Sequence, residues 1–384
     1  MISAASAASV EGAAGLRTAY VHVPFCARVC PYCDFTVVAG RDDVADRYLG
    51  ALVSEIRSVV AWGPLDAVFI GGGTPSRFGP DRIGEVIDTV ADHHGLAADV
   101  EVSMEANPED IDAESAAGFA AAGVTRLSLG VQSFDDEVLQ ALGRAHSAAR
   151  ATAATESALL AGFDSVSVDL IYGTPQESDE SWRSTLAAAV DLGPQHVSAY
   201  SLTVEPGTVL WREVRRGADA PDPDVQADRW EIADAMLSDP GYERYEVSNY
   251  ALPGHHCRYN AAVWGHAEYL GFGVGAHAFR DGVRTVNVRR LDTYLDRVER
   301  EIGAVQSSDG VSGWSAEQER LFVGLRRSAG VEPGVGGRAL LESPAGKRLV
   351  DAGVLAVTNN RLVVVRPLLT DEVLRAVLAS EPPG

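Results

Sequence analysis

Three cysteines near the beginning of the chain have the spacing of a metal-binding loop. Cys26, Cys30 and Cys33 follow the pattern Cys-x-x-x-Cys-x-x-Cys, and they are too close together to cross-link a large domain as disulfides. Three thiolates on one short loop can hold a cuboidal iron–sulfur cluster and leave its fourth iron without a protein ligand. Zinc is one alternative, but zinc prefers a fourth protein ligand, for which Asp34 is poorly placed. Reduced structural cysteines are the other alternative.

Two later loops carry residues suited to a nucleoside cofactor. An open iron can chelate the amino and carboxylate groups of S-adenosylmethionine (SAM), whose one-electron reduction starts radical chemistry. Residues Gly71–Pro75 read Gly-Gly-Gly-Thr-Pro, and a backbone without Cβ atoms can approach the methionine end of SAM closely. Glu105 follows an apolar run, where a carboxylate can accept hydrogen bonds from nucleoside hydroxyls. A plain glycine turn and a solvated loop acid are the alternatives.

These loops need a scaffold, and the chain alternates strand-like and helix-like segments from about residue 18 to residue 204. Serial βα units predict a parallel sheet with right-handed crossovers, here an open (βα)6 partial TIM-like barrel in an α/β fold. A doubly wound sheet is the alternative. The active site of such a barrel lies at the carboxyl ends of its strands, so the loops should form one mouth. The predicted strands are Thr18–Val23, Asp66–Ile70, Asp99–Met104, Thr125–Leu129, Ser165–Ile171 and His196–Ser201.

The remainder of the chain divides into an irregular stretch and a small terminal module. Residues 205–300 are rich in aromatic, histidine and glycine residues, and Ser307–Gly310 is predicted to be a linker. Helical stretches near Ala316–Arg327 and Gly337–Asp351 precede a hairpin that turns at Asn359-Asn360 and a helix near Thr370–Ser380. This order predicts a small winged-helix-like α+β domain. We therefore expect a disordered lead-in over 1–17, a core over 18–306 and a terminal domain over 307–384.

Charge and composition limit the possible partners. The formal net charge is −22, which argues against general nucleic-acid binding because the protein repels phosphate backbones. No stretch approaches the length of about 18–20 apolar residues that a transmembrane helix requires. The first 17 residues lack the charged start and the apolar run of a secretory signal. We expect a cytoplasmic protein with no transmembrane segment.

In its motifs the chain resembles the radical SAM superfamily, specifically its HemN/HemW branch. The resemblance rests on Tyr20-x-His22-x-Pro24-Phe25-Cys26, on the three cysteines and on the Gly71–Pro75 loop, and it extends over nearly the whole chain. It implies a [4Fe–4S] cluster on Cys26, Cys30 and Cys33, and SAM as cofactor. A surface position for Arg144 and packing of Tyr32 over the cluster remain alternatives. The SAM contacts that the resemblance implies are Tyr20, Tyr32, Gly72, Gly73, Thr74, Glu105, Gln132, Arg144 and Asp169.

The branch contains two functional classes, which differ in two sequence features. Its oxidases decarboxylate the propionates of coproporphyrinogen III and carry a cysteine two residues after the third cluster ligand, where this chain has Phe35. They also have a long extension before the cluster loop. Both features favour the class that binds heme and hands it to acceptor proteins without oxidase activity, with respiratory and membrane-associated proteins as candidate acceptors. A low-potential electron donor is expected as a further partner.

The heme ligand is left open by the sequence. Members of the heme-binding class usually carry His-Asn-x-x-Tyr-Trp, but residues 259–264 read Tyr-Asn-Ala-Ala-Val-Trp, so the histidine and the tyrosine are both replaced. Heme iron is held by His, Cys or Tyr in known proteins. A redox-sensing regulator that binds DNA through its terminal module is a third interpretation, which the overall acidity opposes. The candidate heme ligands are His255, His256, Cys257, Tyr259, His266 and His277.

Overall fold

The computed structural model describes residues 15–382. Most of the predicted lead-in, residues 1–14, lies outside the described residues. The strands in the described part are β1 (Thr18–Val23), β2 (Phe25–Cys26), β3 (Val38–Ala39), β4 (Leu65–Gly72), β5 (Leu96–Ala106), β6 (Arg126–Gln132), β7 (Ser165–Tyr172), β8 (His196–Ser201), β9 (Glu243–Arg244), β10 (Asn249–Ala251), β11 (Tyr269–Phe272), β12 (His277–Arg280), β13 (Val283–Asn287), β14 (Val305–Gly310), β15 (Leu355–Thr358) and β16 (Arg361–Val364).

Amphipathic helices connect the strands and cover the sheet. In the first of these helices, α1 (Ala45–Ser58), Tyr48, Leu52 and Ile56 recur every fourth residue and are fully buried, as their spacing predicts. Val60 continues the same spacing but lies beyond the helix end and is 79% exposed. The described helices are α1 (Ala45–Ser58), α2 (Pro80–His94), α3 (Ala113–Ala121), α4 (Asp136–Ala141), α5 (Ala148–Leu160), α6 (Asp179–Leu192), α7 (Val209–Val214), α8 (Pro223–Ser238), α9 (Arg258–Trp264), α10 (Leu291–Glu299), α11 (Gly313–Gly324), α12 (Gly334–Glu342), α13 (Pro344–Asp351) and α14 (Thr370–Leu378).

The central sheet confirms the predicted fold class. Its parallel strands lie in the order β1-β4-β5-β6-β7-β8, so each βα unit packs beside the one before it. A doubly wound sheet would reverse direction at a switch point, and this order has no reversal. One face of these strands is apolar and buried in the core, and the other faces the barrel interior, where polar residues such as Ser167 and Asp169 lie. The carboxyl ends of all six strands therefore meet at one mouth.

Shorter strands extend the sheet at both edges. β11 pairs parallel with β1, and β12, β13 and β14 continue from it in antiparallel fashion, while β10 and β9 extend the sheet beyond β8. The linker prediction for Ser307–Gly310 is wrong, because these residues belong to β14 and pair with β13. All six residues of β14 are exposed, so no hydrophobic pattern predicts a strand there. The strand forms because its backbone pairs with that of β13, which is distant in sequence.

The terminal module has its own apolar core. Leu321, Leu340, Leu362 and Val373 are buried together, and they come from α11, α12, β16 and α14. The predicted helix Gly337–Asp351 is instead two helices, because Ser343 accepts a hydrogen bond from the backbone of Gly346 and caps a second helix that begins at Pro344. The β15–β16 hairpin turns at two asparagines with φ of 50° and 62°, as its Asn-Asn sequence favours. The domain boundary at 306/307 stays a prediction.

Candidate functional site

The cysteine loop is framed by the short parallel pair of β2 and β3. Cys26 ends β2 and is buried, and Cys30 and Cys33 are half-buried. The amide of Cys33 donates to the carbonyl of Cys30 at 3.1 Å, which closes the turn between the two thiols. All three cysteines are free and line one cavity of about 420 Å³ at the mouth of the barrel, called the first cavity below.

Hydrogen-bond donors are aimed at two of the three sulfurs. Thr74 Oγ1 donates to Cys26 Sγ at 3.5 Å, and Arg144 Nη1 donates to Cys30 Sγ at 3.4 Å. Burial raises the pKa of the Cys33 thiol to about 11 and also raises the pKa of Cys26, against which the Thr74 bond acts. Thiolates here therefore need a positive partner. An iron cluster supplies that charge, and donors to sulfur are what such clusters receive. The donor set fits a cluster.

Eight of the nine residues expected to contact SAM line the first cavity. Tyr32, Gly72, Gly73 and Thr74 lie beside the cysteines, and the other four come from the next strands and the loops that follow them. The exception is Tyr20, whose hydroxyl hydrogen-bonds His22 Nδ1 at 3.1 Å and whose ring stacks on Phe69. The four from the later strands and loops are Glu105, Gln132, Arg144 and Asp169.

Arg144 connects the cluster loop to the cavity wall. Its Nη2 donates to Asn107 Oδ1 at 2.5 Å and to the carbonyl of Gly130 at 2.9 Å, and Asn107 Nδ2 in turn donates to Thr74 Oγ1 at 3.1 Å. The surface position considered for Arg144 is therefore not what the structure has. Its Nε is buried without a hydrogen-bond partner among residues 15–382, which leaves a donor for a bound ligand.

Glu105 holds the glycine loop in place. Its Oε2 accepts the backbone N–H of Gly72 at 2.9 Å, so part of its hydrogen-bonding capacity is used by the protein itself. Burial raises the pKa of Glu105 to about 7, and the nearby charge of Asp169 adds to this effect. At neutral pH the carboxyl group is thus poised between its acid and ionised forms. Either form can bond a sugar hydroxyl, as acceptor or as donor.

The glycines of this loop are required by the protein rather than by a ligand. A Cβ on Gly73 would lie 2.6 Å from the carbonyl carbon of Pro24, and one on Gly72 would meet the ring of His22. Gly72 also has φ of 115°, in the region that favours glycine. The sequence argument that the missing Cβ atoms make room for SAM therefore needs correction, because the space is taken by the strand that leads into the cysteine loop.

Asp169 is the centre of a serine cluster that sequence reasoning missed. It accepts hydrogen bonds from Ser198 at 2.7 Å, from Ser128 at 2.9 Å and from Ser167 at 3.1 Å. The serines come from three adjacent strands, and each is an ordinary strand residue in the sequence. Burial raises the pKa of Asp169, and the serine hydroxyls oppose that shift. Only the register of β6, β7 and β8 brings the four together.

Gln132 occupies an irregularity at the end of β6. Its φ of 70° is unusual for a residue other than glycine, and the pairing of β6 with β7 shifts register between Leu129 and Gln132. Residues held in such conformations cluster at functional sites. Both the Gln132 and Gly130 positions line the first cavity. The bulge therefore sets the direction in which the Gln132 side chain points.

A second cavity, of about 380 Å³, lies beside the first. It shares Asp34, Phe35, Gly72 and Glu105 with the first cavity, so these residues form a common wall. Its remaining lining residues are Tyr20, His22, Thr36, Tyr259, Tyr269, Gly275, His277 and Arg289.

The six candidate heme ligands do not come together in one place. Tyr259 and His277 line the second cavity. His266 Nε2 lies 3.0 Å from Glu319 Oε1 and His256 stacks on Tyr245 at 4.4 Å, and neither lines that cavity.

The other two candidates are also outside it. Cys257 is 1% exposed and burial raises the pKa of its thiol to about 12, so it stays protonated at neutral pH. His255 is half-buried, and its backbone carbonyl accepts a hydrogen bond from Arg126.

Two basic residues of the terminal module are engaged within the protein, whereas Arg338, Lys347 and Arg348 are exposed. Arg326 stacks on Trp264 and Phe322, and Arg361 donates to the carbonyls of Ala329 and Gly330. Within residues 15–382, no helix is both long enough and apolar enough to cross a membrane.

Comparisons with known proteins agree with this architecture. The family model of the radical SAM superfamily matches residues 20–189. A curated relative named heme chaperone HemW, from Mycobacterium tuberculosis strain H37Rv, is 42% identical over 370 residues, which are 94% of this chain and 94% of the relative. The heme chaperone HemW of Bacillus subtilis is 34% identical over 82% of this chain and 85% of its own.

A solved structure is similar over almost the whole length. Coproporphyrinogen III oxidase (HemN) from Escherichia coli, described as a radical SAM enzyme, matches with a TM-score of 0.80 and 23% identity, covering 97% of this chain and 92% of its own. This likeness shows the shared fold, in which the barrel, the edge strands and the terminal module are included. From the sequence relatives and the fold together, the chain belongs to the radical SAM superfamily and, within it, to the HemN/HemW branch.

Proposed function

We propose that this chain is a radical SAM protein that binds a [4Fe–4S] cluster, SAM and heme, and that passes heme to acceptor proteins. The observation that carries the proposal is the first cavity, in which three free cysteines, two donors to sulfur and eight expected SAM residues face the same space. Its relatives named heme chaperone HemW support the choice of heme as cargo.

The side chains of the first cavity have separate tasks in this proposal. Cys26, Cys30 and Cys33 would hold the cluster, and Thr74 and Arg144 lower the energy of the thiolates by donating hydrogen bonds. When bound, the reduced cluster supplies the single electron with which this class of protein cleaves SAM.

Two carboxyl groups face the same space. Glu105 and Asp169 would take the hydroxyl and amino groups of the nucleoside, since both are half-buried and line the same cavity as the three cysteines. The orphan Nε of Arg144 is a donor for the carboxylate of SAM.

Phe35 favours heme transfer over oxidase activity. Oxidases of the branch have a cysteine at this place, and here a ring that is 64% exposed stands between the two cavities. A phenyl ring can neither donate a proton nor carry an electron pair to a substrate. It offers an apolar surface to a flat ligand instead.

The partners in this proposal are heme, heme-acceptor proteins and a low-potential electron donor, all met in the cytoplasm, where cysteines stay reduced. Nucleic acid is left out because a net charge of −22 repels phosphate backbones.

Anaerobic reconstitution followed by heme titration tests the proposal. We expect about four irons and four sulfides per chain, a heme spectrum with a defined Soret band, and no turnover of coproporphyrinogen III with SAM and a low-potential reductant. Formation of protoporphyrinogen at enzymatic rates would restore the oxidase assignment. A protein with cluster and SAM that neither binds heme nor turns over this substrate would have another function.

A further inference from the structure

The second cavity has the composition of a site for a flat aromatic ligand. On one side Tyr259 is packed against Tyr20 at 6.0 Å, Phe69 at 5.1 Å and Tyr269 at 6.3 Å between ring centroids. Phe35 also lines this cavity and exposes most of its ring, which is costly in water unless something covers it. Aromatic walls with a few polar groups at the rim are typical of cofactor pockets.

The cavity contains two imidazoles, and the structure separates their roles. His22 is buried, and both of its ring nitrogens are engaged, Nε2 with the carbonyl of Thr36 at 2.7 Å and Nδ1 with the hydroxyl of Tyr20 at 3.1 Å. His277 stands at the beginning of β12, is exposed, and has no side-chain hydrogen bond within residues 15–382. It is therefore the imidazole of this cavity with a nitrogen free to bind iron.

The state of the two possible ligands points the same way. Partial burial lowers the pKa of His277, and the charges of Arg289 and Arg284 lower it further, which favours the neutral imidazole with its free lone pair. Burial raises the pKa of Tyr259 well above its ordinary value, so the phenol does not ionise. A neutral imidazole binds heme iron, whereas tyrosine binds it as phenolate.

The rim supplies one cation for a carboxylate. Arg289 is exposed, lines the cavity and lies close enough to His277 to affect its charge. The acids of the cavity, Asp34 and Glu105, are on the wall shared with the first cavity. A ligand with an apolar face and carboxylates on one edge would be oriented with that edge toward Arg289 and away from the acids.

The geometry points to the second cavity as the heme site of this protein, with His277 as the iron ligand, Arg289 as the partner of a propionate, and Phe35 and the Tyr259 wall against the macrocycle. This inference rests on the proposed function and names the site at which that function would act. It also puts heme against Gly72 and Glu105, the residues that face the first cavity on their other side.

The test compares His277→Ala with wild type in titrations with hemin and with metal-free protoporphyrin IX, both on the reconstituted protein. Loss of an iron ligand should weaken hemin binding by about tenfold or more and move the Soret band, and it should leave protoporphyrin IX binding unchanged. Added imidazole should restore the wild-type band. Arg289→Ala should weaken both porphyrins by about threefold, the size expected for an exposed ion pair.

Two matched variants and one further measurement separate the outcomes. His255→Ala and His266→Ala remove imidazoles outside the cavity and should leave hemin affinity and spectrum as in wild type. Iron content and SAM affinity of His277→Ala should equal those of wild type, which shows that the variant is folded. If wild type binds hemin and His277→Ala binds it with the same band and affinity, the site is wrongly assigned. If wild type binds cluster and SAM but no hemin, the proposed heme function fails as well.

Discussion

Arg144 Nη1 donates a hydrogen bond to Cys30 Sγ at 3.4 Å, although 114 positions separate the two residues in the chain. The same guanidinium bonds Asn107, which bonds Thr74, which bonds Cys26 Sγ. Cys26, Cys30 and the wall of the first cavity are thus parts of one hydrogen-bonded unit. Removal of any residue of this unit should weaken the binding of the cluster.

We expect Arg144→Ala to bind the cluster through the same three cysteines but more weakly than wild type does. A hydrogen bond to a charged group contributes about 1.5–3 kcal/mol, so iron release to a chelator should be about tenfold faster or more. The measurement is the loss of the brown absorbance under anaerobic conditions. Arg183→Ala, an exposed arginine on α6, is the control and should release iron at the wild-type rate. Equal rates for all three proteins would show that the contact has no role.

The cysteines themselves should divide into two groups. Replacing Cys26, Cys30 or Cys33 by Ala should abolish the cluster, because two thiolates cannot hold it. Cys257→Ala should retain full iron and sulfide, because Cys257 is buried near Ser103, 4.0 Å from its hydroxyl, and does not line the first cavity. Iron and sulfide analysis after reconstitution checks both groups. Full iron content in Cys30→Ala would overturn the assignment.

SAM binding should depend on the carboxyl group of Glu105. Glu105→Ala removes both the acceptor for the ligand and the bond to Gly72, so the affinity for SAM should fall by about tenfold or more. Glu105→Gln keeps an acceptor for Gly72 and should lose less. Calorimetry on the reconstituted protein measures both, with Glu114→Ala on α3 as the exposed control. Wild-type affinity in both Glu105 variants would mean that the nucleoside lies elsewhere.

Two glycine substitutions should change stability in opposite directions. Gly73→Ala brings a Cβ to 2.6 Å from the backbone of Pro24, so the cysteine loop must shift and the free energy of unfolding should fall by about 1–3 kcal/mol. Gly50→Ala lies in α1 with nothing within 4 Å of the new Cβ, and it should raise that free energy by about 0.5–1 kcal/mol. Denaturant unfolding of the cluster-free protein measures both changes. A stable Gly73→Ala protein would show that the loop has room.

The stability of the cluster-free protein should depend on pH through Glu105. Folding raises the pKa of this group from its ordinary value of 4.5 to about 7, so between these values the folded state holds more protons than the unfolded chain. Its contribution is present below pH 4.5 and is lost as the pH rises through 7.

We therefore expect the free energy of unfolding of Glu105→Gln, relative to that of wild type, to increase by on the order of 1–2 kcal/mol as the pH rises from 5 to 8. Unfolding curves at several pH values measure the difference, in which other titrating groups cancel. The stability of Glu114→Gln, a substitution on the surface, should change with pH in the same way as that of wild type. A constant difference between Glu105→Gln and wild type across this range would contradict the raised pKa.

The sequence by itself determined what depends on near neighbours. The spacing of Cys26, Cys30 and Cys33 predicts one loop with three ligands, and apolar runs predicted the central strands to within a few residues. Asn359 and Asn360 marked a tight turn because few other residues adopt positive φ readily. Each signal is local, so no knowledge of the fold was needed to interpret it.

Only the tertiary structure decided which distant residues meet. Strand order and register place Ser128, Ser167 and Ser198 around Asp169, and no pattern in the chain marks these serines. The strand at Val305–Gly310 depends on pairing with β13, since all of its residues are exposed and its sequence has no alternating apolar pattern.

Tertiary structure was also needed to choose among the candidate heme ligands. The choice depends on whether each ring nitrogen already has a partner and on which cavity the ring lines: His266 contacts Glu319, whereas His277 lines the second cavity. Contacts of this kind link segments far apart in the chain, and their energies depend on burial and orientation, which a linear sequence does not contain.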